Sequence, residues 1–299
     1  MGYGSWTTDD FKSYSTSRGF KTSDVGVKLC KNMSADQVYV QKRLAKELDP
    51  FEVVRECRDS EDHPETLPVI LALDVTGSMG KTAVEISAEI NTIMTELYKT
   101  TKDIQFMIMG IGDLMYDTAP LQVSQFEADV RIAEQLDKIY FEFGGGPNRW
   151  ESYSAAWAFG ADQTDLDCWK RGKRGIIITM GDEELNPTLS CDLYEKITGQ
   201  KCEEGSLDTD KLYKRVIEKY DIYHINVDHR DYYKPNLDRW NDVLGKDHVI
   251  TAKVEEVPQI ISAIVTKHAE NGEFFRSGEA STDDSPTVAS IGFTENISW

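Results

Sequence analysis

Residues Val69–Gly80 read VILALDVTGSMG, in which an apolar stretch runs directly into a polar turn. The continuous apolar run is typical of a strand that is buried on both faces. The turn then places oxygen-bearing side chains at alternate positions, at Asp74, Thr76 and Ser78. A loop that leaves a strand and enters a helix can aim alternate side chains at one point, and carboxylate and hydroxyl oxygens suit a hard cation. The stretch therefore predicts a site for Mg²⁺, Mn²⁺ or Ca²⁺ at the C-terminal end of a strand.

The segment after this turn predicts a helix over Lys81–Tyr98. Apolar residues recur there at helical spacing, at Ile86, Ile90, Ile93, Met94 and Leu97. The predicted site therefore lies at a helix N-terminus, a position that already favours anionic groups. The same residues allow a simpler interpretation, in which Asp74 is only a helix cap and Thr76 and Ser78 form the turn. Spacing alone leaves both interpretations open.

The DVTGS element at Asp74–Ser78 resembles the D-x-S/T-x-S motif of the von Willebrand factor type A (vWA) domain. The metal-ion-dependent adhesion site (MIDAS) of that family lies above a mostly parallel sheet. The predicted elements also fit, because strands and helices alternate along the chain. Strand patterns occur at Gln105–Gly110, Leu121–Phe126, Gly175–Met180, Ile222–Val227 and Val249–Ala252. Helix patterns occur at Ala128–Lys138, Ser152–Ala161, Asp210–Lys219, Leu237–Leu244 and Val257–His268. We therefore expect an α/β fold with a doubly wound, mostly parallel central sheet and helices on both faces.

A second acidic residue follows another apolar strand, in the sequence IIITMGDEE at Ile176–Glu184. In the vWA family this strand supplies an aspartate that reaches the metal, usually through water, and the resemblance gives that role to Asp182. Ligands of an open α/β sheet gather beyond the carboxyl ends of its strands, so Asp74 and Asp182 can converge there. The alternative is a solvated turn carboxylate, because GDEE is also ordinary turn composition.

The glycine-rich stretch Gly144–Ser152, GGGPNRWES, departs from the family pattern. Many vWA domains place a threonine in a loop of the form GG-T-N-T, whereas Pro147, which has no side-chain oxygen, stands at that place here. The resemblance leaves the amide of Asn148 or the carboxylate of Glu151 as substitutes. The loop also resembles that of a bacterial and phage-type subset of vWA proteins, which carry two further short motifs. The first, RDS…HP, precedes the first strand and matches Arg58–Ser60 with His63–Pro64. The second, GDE, follows the fourth strand and matches Gly181–Glu183.

Composition limits the classes of partner. The chain has 299 residues, 40% of them hydrophobic, which is enough for one large α/β core. Its 52 acidic and 33 basic residues give a formal net charge of −19. Phosphate binding needs clustered Lys and Arg, so nucleic acid is not the expected partner. The acidic surplus favours solubility or contact with a basic protein.

Common enzyme motifs are absent from the sequence or incomplete in it. The sequence contains no G-x-S-x-G, Walker or dinucleotide motif. A haloacid-dehalogenase phosphatase needs a second acidic residue two positions after Asp74, and Thr76 stands there. The cluster HINVDHRD offers His224, Asp228, His229 and Asp231 as zinc ligands, but these residues more readily form a strand end and its solvated loop. The residues therefore favour binding over catalysis.

The five cysteines, Cys30, Cys57, Cys168, Cys191 and Cys202, include no closely spaced pair. An odd number at wide spacing fits reduced thiols in a cytoplasmic protein better than a disulfide framework. No apolar run approaches the length of about 20 residues that spans a membrane, and the N-terminus has no basic-then-apolar signal. We therefore expect a cytoplasmic protein without a membrane segment.

The chain divides into three predicted regions. Residues 1–66 form an extension packed on the core, with a helix over Ala35–Leu48 that Ser34 caps. Residues 67–270 form the vWA-like domain, and residues 271–299 form a flexible tail or a docking arm. Four aromatic residues slightly favour docking, at Phe274, Phe275, Phe293 and Trp299.

The functional hypothesis is a MIDAS-type protein-binding module with no catalytic residue. Its metal is Mg²⁺, or else Mn²⁺ or Ca²⁺, held by Asp74, Thr76, Ser78 and Asp182, with Asn148 or Glu151 as further ligands. The resemblance implies that a partner carboxylate completes the coordination, and that the partner belongs to a protein complex, with an AAA+ ATPase as one class. The first alternative is a structural subunit of a homo-oligomer with a vestigial metal site. A metal-dependent hydrolase is a third.

Overall fold

A computed structural model of the chain describes residues 4–24, 26, 28–29, 35–101, 103–142, 144, 146–202, 205–230 and 234–271. Strands and helices alternate along these residues. The strands are β1 Lys21–Thr22, β2 Lys28–Leu29, β3 Arg55–Cys57, β4 Leu67–Asp74, β5 Ile104–Ile111, β6 Leu121–Val123, β7 Trp150–Glu151, β8 Thr164–Leu166, β9 Gly175–Gly181, β10 Glu184–Leu185, β11 Thr188–Ser190, β12 Ser206–Asp208, β13 Tyr220–Val227 and β14 Val249–Ala252. The helices are α1 Thr8–Ser17, α2 Ala35–Val38, α3 Gly80–Ala88, α4 Ile90–Thr100, α5 Arg131–Leu136, α6 Ser154–Asp162, α7 Asp167–Lys170, α8 Cys191–Thr198, α9 Thr209–Val216, α10 Asp238–Leu244 and α11 Val257–Asn271.

A six-stranded sheet forms the centre of the fold, in the order β14-β13-β9-β4-β5-β6. Neighbouring strands are parallel except β5 and β6, which are antiparallel. Every residue of β5 and β9 is buried. Such continuous burial is characteristic of parallel strands that are covered on both faces, and it explains their uninterrupted apolar sequences. The prediction of a mixed α/β fold with a mostly parallel sheet is therefore confirmed.

Alternate residues of β4 belong to two separate hydrophobic clusters. Leu71 packs in a cluster that also contains Met94 of α4 and Val265 of α11. Its neighbour Ile70 packs in a second cluster, which contains Trp157 of α6 and the buried Trp240 of α10. This alternation follows from the two-residue period of side chains along a strand. A slip of one residue in the register of β4 would exchange the two clusters, so the packing fixes the register.

Two predicted helices differ from the structure. The helix predicted over Lys81–Tyr98 is two helices, α3 and α4, separated at Glu89. The Ser87 hydroxyl donates to the Val84 carbonyl at 2.8 Å, and the Glu89 N–H bonds the Ile86 carbonyl at 3.1 Å instead of continuing the α-helical pattern.

The predicted helix over Ala35–Leu48 is wrong beyond α2. The Tyr39 ring packs on Phe141, with ring centroids 4.0 Å apart, and its hydroxyl donates to the Ala83 carbonyl at 3.2 Å. These tertiary contacts override the helical pattern, since intrinsic propensity is a weak determinant. The predicted cap Ser34 lies outside the described residues.

The N-terminal region contributes side chains to the first hydrophobic cluster. Trp6, Phe11, Val38 and Tyr39 are buried together with sheet residues such as Leu71. The division of the chain near residue 66 stays a prediction. The predicted docking arm lies outside the described residues except for Asn271, which ends α11.

The expectation of reduced thiols is wrong for one pair, because Cys191 and Cys202 form a disulfide with their Cα atoms 5.4 Å apart. Strands β11 and β12 pair antiparallel, with Ser190 opposite Ser206. The pairing of these strands returns the chain to the vicinity of Cys191, so that Cys202 can reach it. The spacing of the cysteines in the sequence does not reveal this proximity. Cys57 and Cys168 are free and buried. The helices in the described part of the chain are all too short or too polar to cross a membrane.

Candidate metal site

The turn after β4 holds the Asp74 carboxylate on one side. Asp74 is fully buried at the end of β4. Its Oδ1 accepts hydrogen bonds from the Thr76 backbone N–H at 2.9 Å and from the Thr76 hydroxyl at 2.7 Å. This is the local turn expected when an aspartate bonds the backbone two residues later. A short 3₁₀ turn at Gly77–Met79 then leads into α3.

The same turn reaches Asp182 at the end of the neighbouring strand. The hydroxyls of Thr76 and Ser78 lie 3.3 Å apart, and the Ser78 hydroxyl donates to Asp182 Oδ1 at 2.9 Å. Strands β4 and β9 are parallel, with Leu73 opposite Met180, so their carboxyl ends coincide. The structure therefore brings the predicted residues together as two hydroxyl–carboxylate pairs, Thr76 with Asp74 and Ser78 with Asp182, whose hydroxyl oxygens are neighbours.

The other oxygen of Asp182 faces basic groups from the loop after β13. Asp182 Oδ2 lies 2.7 Å from His229 Nε2 and 2.7 Å from Arg230 Nη2. Arg230 also donates to the Asp182 carbonyl at 3.1 Å and to Glu183 at 3.0 Å. The sequence assigned neither His229 nor Arg230 to this site. The only signal was their place after a third strand of the same sheet, where ligand-binding loops gather.

The glycine-rich loop contacts the site without supplying Asn148 to it. The Gly77 N–H donates to the Gly144 carbonyl at 2.8 Å, which joins this loop to the turn after β4. The Asn148 amide donates to the carboxylate of Asp113 instead. Pro147 is exposed, so the predicted departure from the family loop falls on a residue at the surface.

Glu151 lies in the interior beside the other carboxylates. It follows Trp150 in β7, which pairs with β10, and it is only 5% exposed. Its Oε2 has no hydrogen-bond partner among the described residues. Burial, together with the negative charges of Asp74, Asp117 and Asp113, raises the pKa of Glu151 to about 10. Glu151 is thus a buried carboxyl group with an unused oxygen.

Carboxyl groups that are buried close together dominate the electrostatics of the site. Burial and the nearby charge of Asp182 raise the pKa of Asp74 to about 7, although the hydrogen bonds from Thr76 oppose this shift. Neighbouring buried carboxylates are costly to ionise together, and a divalent cation would stabilise their charged forms. No three His, Cys, Asp or Glu side chains in the described ranges form a metal-binding group by themselves. The hydroxyls of Thr76 and Ser78 would therefore have to act as ligands, and such hard oxygen donors fit Mg²⁺.

Tyr153 contacts Asp74 from the side opposite Thr76. Its hydroxyl donates to Asp74 Oδ2 at 3.0 Å, and the side chain is fully buried just before α6. Burial and the neighbouring carboxylate charges hold the pKa of Tyr153 well above its usual range, so the phenol keeps its proton. The sequence did not predict this contact, because no motif links a residue after the glycine-rich loop to the end of β4.

The residues of the HINVDHRD cluster do not converge. His224 is fully buried, stacks on Trp240 with ring centroids 3.6 Å apart, and lies 3.0 Å from the Thr179 hydroxyl through Nδ1. Burial lowers its pKa to about 3, so the ring is neutral. Asp228 pairs with Lys234, His229 contacts Asp182, and Asp231 lies outside the described residues. The zinc interpretation has no support from the described part of this cluster.

Exposed apolar side chains lie on the turn after β5 and on β7. Met115 is 65% exposed, Tyr116 48% and Trp150 39%. The loop of Met115 and Tyr116 is joined to the glycine-rich loop, because the Leu114 N–H donates to the Ser152 hydroxyl at 3.1 Å. Apolar side chains at the surface are frequent contact residues of protein interfaces.

No protein-family model and no curated protein matches the chain. Among solved structures, the chain is similar to the pilus adhesin SpaC from Lactobacillus rhamnosus GG in its open conformation, with a TM-score of 0.47 and 11% identity over 72% of this chain. The chain spans only 31% of that adhesin.

In two further structures, the similarity covers almost the whole of the known chain. One is the vWF domain of the type V pili tip protein Mfa5 from Porphyromonas gingivalis, with a TM-score of 0.45, 11% identity, and coverage of 72% of this chain and 98% of that one. The other is the conserved hypothetical protein BatB from Bacteroides thetaiotaomicron, with a TM-score of 0.41, 13% identity, and coverage of 68% and 99%. Similarity at this level assigns neither a family nor a function, which must be argued from the residues themselves.

Proposed function

We propose that this chain is a metal-ion-dependent protein-binding module with a doubly wound fold of the vWA type. One divalent cation, Mg²⁺ in the first place and Mn²⁺ or Ca²⁺ otherwise, is held by Asp74, Thr76, Ser78 and Asp182. The observation that carries the proposal is the convergence of two hydroxyl–carboxylate pairs where β4 and β9 end, with the Thr76 and Ser78 hydroxyl oxygens 3.3 Å apart.

Glu151 is the better of the two further ligand candidates. Its Oε2 lacks a hydrogen-bond partner among the described residues, whereas the Asn148 amide is engaged with Asp113. A carboxylate from Glu151 would strengthen cation binding and would leave the bound cation less attractive to an anionic partner. The cation supplies an oxygen-binding centre, and the chain supplies its orientation.

A protein partner is the proposed ligand of the module. Exposed Met115, Tyr116 and Trp150 beside the cation site support contact with a protein surface. An oxygen donor of the partner, such as a carboxylate, would complete the coordination, and an AAA+ ATPase is one partner class to test. A cytoplasmic location is also proposed. The thiols of Cys191 and Cys202 no longer support it, because these two cysteines form a disulfide.

Calorimetric titration of Mg²⁺ and Mn²⁺ into chelator-treated protein tests the cation site. We expect saturable binding to the wild-type chain, none to Asp74→Ala, and weaker binding to Ser78→Ala, which loses one hydroxyl ligand. Ser206→Ala is the control, because Ser206 lies in the β11–β12 hairpin. Equal binding to all these proteins would contradict the proposed ligand set.

A structural subunit with a vestigial site is the second candidate function. It is favoured by the positive charge that Arg230 already brings to Asp182, and by the absence of a side-chain oxygen at Pro147. In that case calorimetry finds no cation binding, and size-exclusion chromatography finds a homo-oligomer that chelation does not alter.

A further inference from the structure

We propose that Tyr153 is the positioning residue of the cation site, and that its hydroxyl fixes the orientation of the Asp74 carboxylate. The inference rests on the proposed function, because it concerns how the same site holds its cation. It adds a residue that would not touch the cation itself.

Both oxygens of Asp74 are held by donors on opposite sides. Thr76 bonds Oδ1 through its N–H and its hydroxyl, and Tyr153 bonds Oδ2 at 3.0 Å. The carboxylate is fully buried, so water cannot replace a lost donor without entering the core. Without the phenol, only the local turn would hold the carboxylate, and rotation about its side-chain bonds would become easier.

Aromatic packing fixes the Tyr153 ring in turn. The ring meets His224 edge to face with centroids 5.4 Å apart, and Trp240 in the same manner at 5.2 Å. His224 and Trp240 also stack on each other. A residue that orients a metal ligand is effective when its own rotamer is locked by packing. The rings of His224 and Trp240 provide this packing for Tyr153.

Gly181 provides the space that the phenol occupies. A Cβ atom at Gly181 would lie 1.9 Å from the Tyr153 hydroxyl oxygen and 3.0 Å from Asp74 Cβ. Only glycine fits there while the phenol reaches Asp74. The end of β9 is therefore shaped for this hydrogen bond, which is a second observation independent of the bond itself.

The test compares Tyr153→Phe with Tyr220→Phe. Both tyrosines are fully buried, and the Tyr220 hydroxyl bonds Thr164 at 2.7 Å at the start of β13, at the other end of the sheet. Each variant removes one oxygen from a buried hydrogen bond. We expect the Mg²⁺ dissociation constant of Tyr153→Phe to rise about 10-fold, as for partners that orient metal ligands. We expect no change in Tyr220→Phe, and each melting temperature without metal serves as the check on folding.

Each outcome has a distinct meaning. If wild-type protein fails to bind Mg²⁺, the proposed function fails. If wild-type protein binds Mg²⁺ and Tyr153→Phe binds it equally well, only the inference about Tyr153 is overturned. Equal weakening of Mg²⁺ binding in Tyr153→Phe and Tyr220→Phe also overturns it, because the effect is then a general structural one. If Tyr153→Phe does not fold, Gly181→Ala displaces the phenol instead. The inference then requires a similar loss of affinity, and unchanged affinity in a folded Gly181→Ala protein overturns it.

Discussion

Strands β4 and β9 pass through two very different environments. Along their length, residues such as Leu71 and Ile178 are buried among apolar side chains. At their carboxyl ends, β4 finishes with Asp74 and β9 is followed by Asp182. Both carboxylates are buried and lie beside hydroxyl groups. Apolar burial stabilises the first region, whereas the burial of carboxylates destabilises the second. One pair of strands that is stabilised by apolar packing can therefore hold carboxylates in an environment that is unfavourable for them.

The largest expected effect follows from damage to the apolar part. Ile178→Ala should lower the free energy of unfolding by about 3 kcal/mol, because it removes buried methyl groups and leaves a cavity. Urea denaturation measures the loss, and Val54→Ala, at a residue that is 58% exposed, is the control with an expected change below about 0.5 kcal/mol. Mg²⁺ affinity of the folded Ile178→Ala protein should stay close to wild type. A large loss of affinity would show that the two environments are not separable.

The second effect concerns the disulfide outside the central sheet. Replacement of both Cys191 and Cys202 by serine should lower the free energy of unfolding by about 2–3 kcal/mol, since the unfolded chain gains freedom. Mg²⁺ affinity should not change, because the bond closes the β11–β12 hairpin. Alkylation and mass spectrometry with and without reductant report whether the bond forms. Alkylated Cys191 and Cys202 in the unreduced protein would contradict the structure.

The mostly parallel sheet and part of the candidate site could be predicted from the sequence for a simple reason. Strands β4, β5 and β9 are long uninterrupted apolar runs, and the Asp74–Thr76–Ser78 pattern is local. The role of Asp182 could be predicted because it follows directly after an apolar strand, at a position to which the vWA resemblance assigns an aspartate of the site. These features depend on short stretches of chain, which a sequence displays directly.

Features that depend on distant contacts were missed. Tyr153, His229 and Arg230 reach Asp74 or Asp182 only because separate loops meet at one edge of the sheet. The helix predicted over Ala35–Leu48 ended early because Tyr39 packs on Phe141, about 100 residues away. No local pattern encodes such convergence, so only the folded arrangement reveals it.

A pH titration of stability sharpens the contrast further. Folding raises the pKa of Asp74 to about 7 and that of Glu151 to about 10, above their values of 3.8 and 4.5 outside the fold. The folded protein therefore binds more protons than the unfolded chain from about pH 4 upward. Because of this difference, the free energy of unfolding falls as pH rises. Without metal, stability should fall by about 2 kcal/mol or more from pH 5 to pH 8.

Urea midpoints at several pH values, with and without saturating Mg²⁺, measure this effect. Mg²⁺ should flatten the decline, because a cation stabilises the ionised carboxylates. The Asp74→Asn variant should show a shallower decline without metal. Parallel curves with and without Mg²⁺ in the wild-type protein would contradict a cation at these residues.

The smallest expected effect separates the two candidate functions. Arg230 and a bound cation would share the Asp182 carboxylate, and their like charges oppose each other. Arg230 is partly solvated, so the repulsion is screened, and Arg230→Gln should tighten Mg²⁺ binding by only about threefold. Arg174→Gln is the matched control, since Arg174 pairs with Asp221 at 2.8 Å near the start of β13 and should leave affinity unchanged. If Arg230→Gln instead destabilises the metal-free protein strongly and Mg²⁺ does not restore it, the guanidinium is the permanent counter-ion of Asp182. The structural subunit would then be the better account, because a site whose charge the chain already balances has no need of a cation.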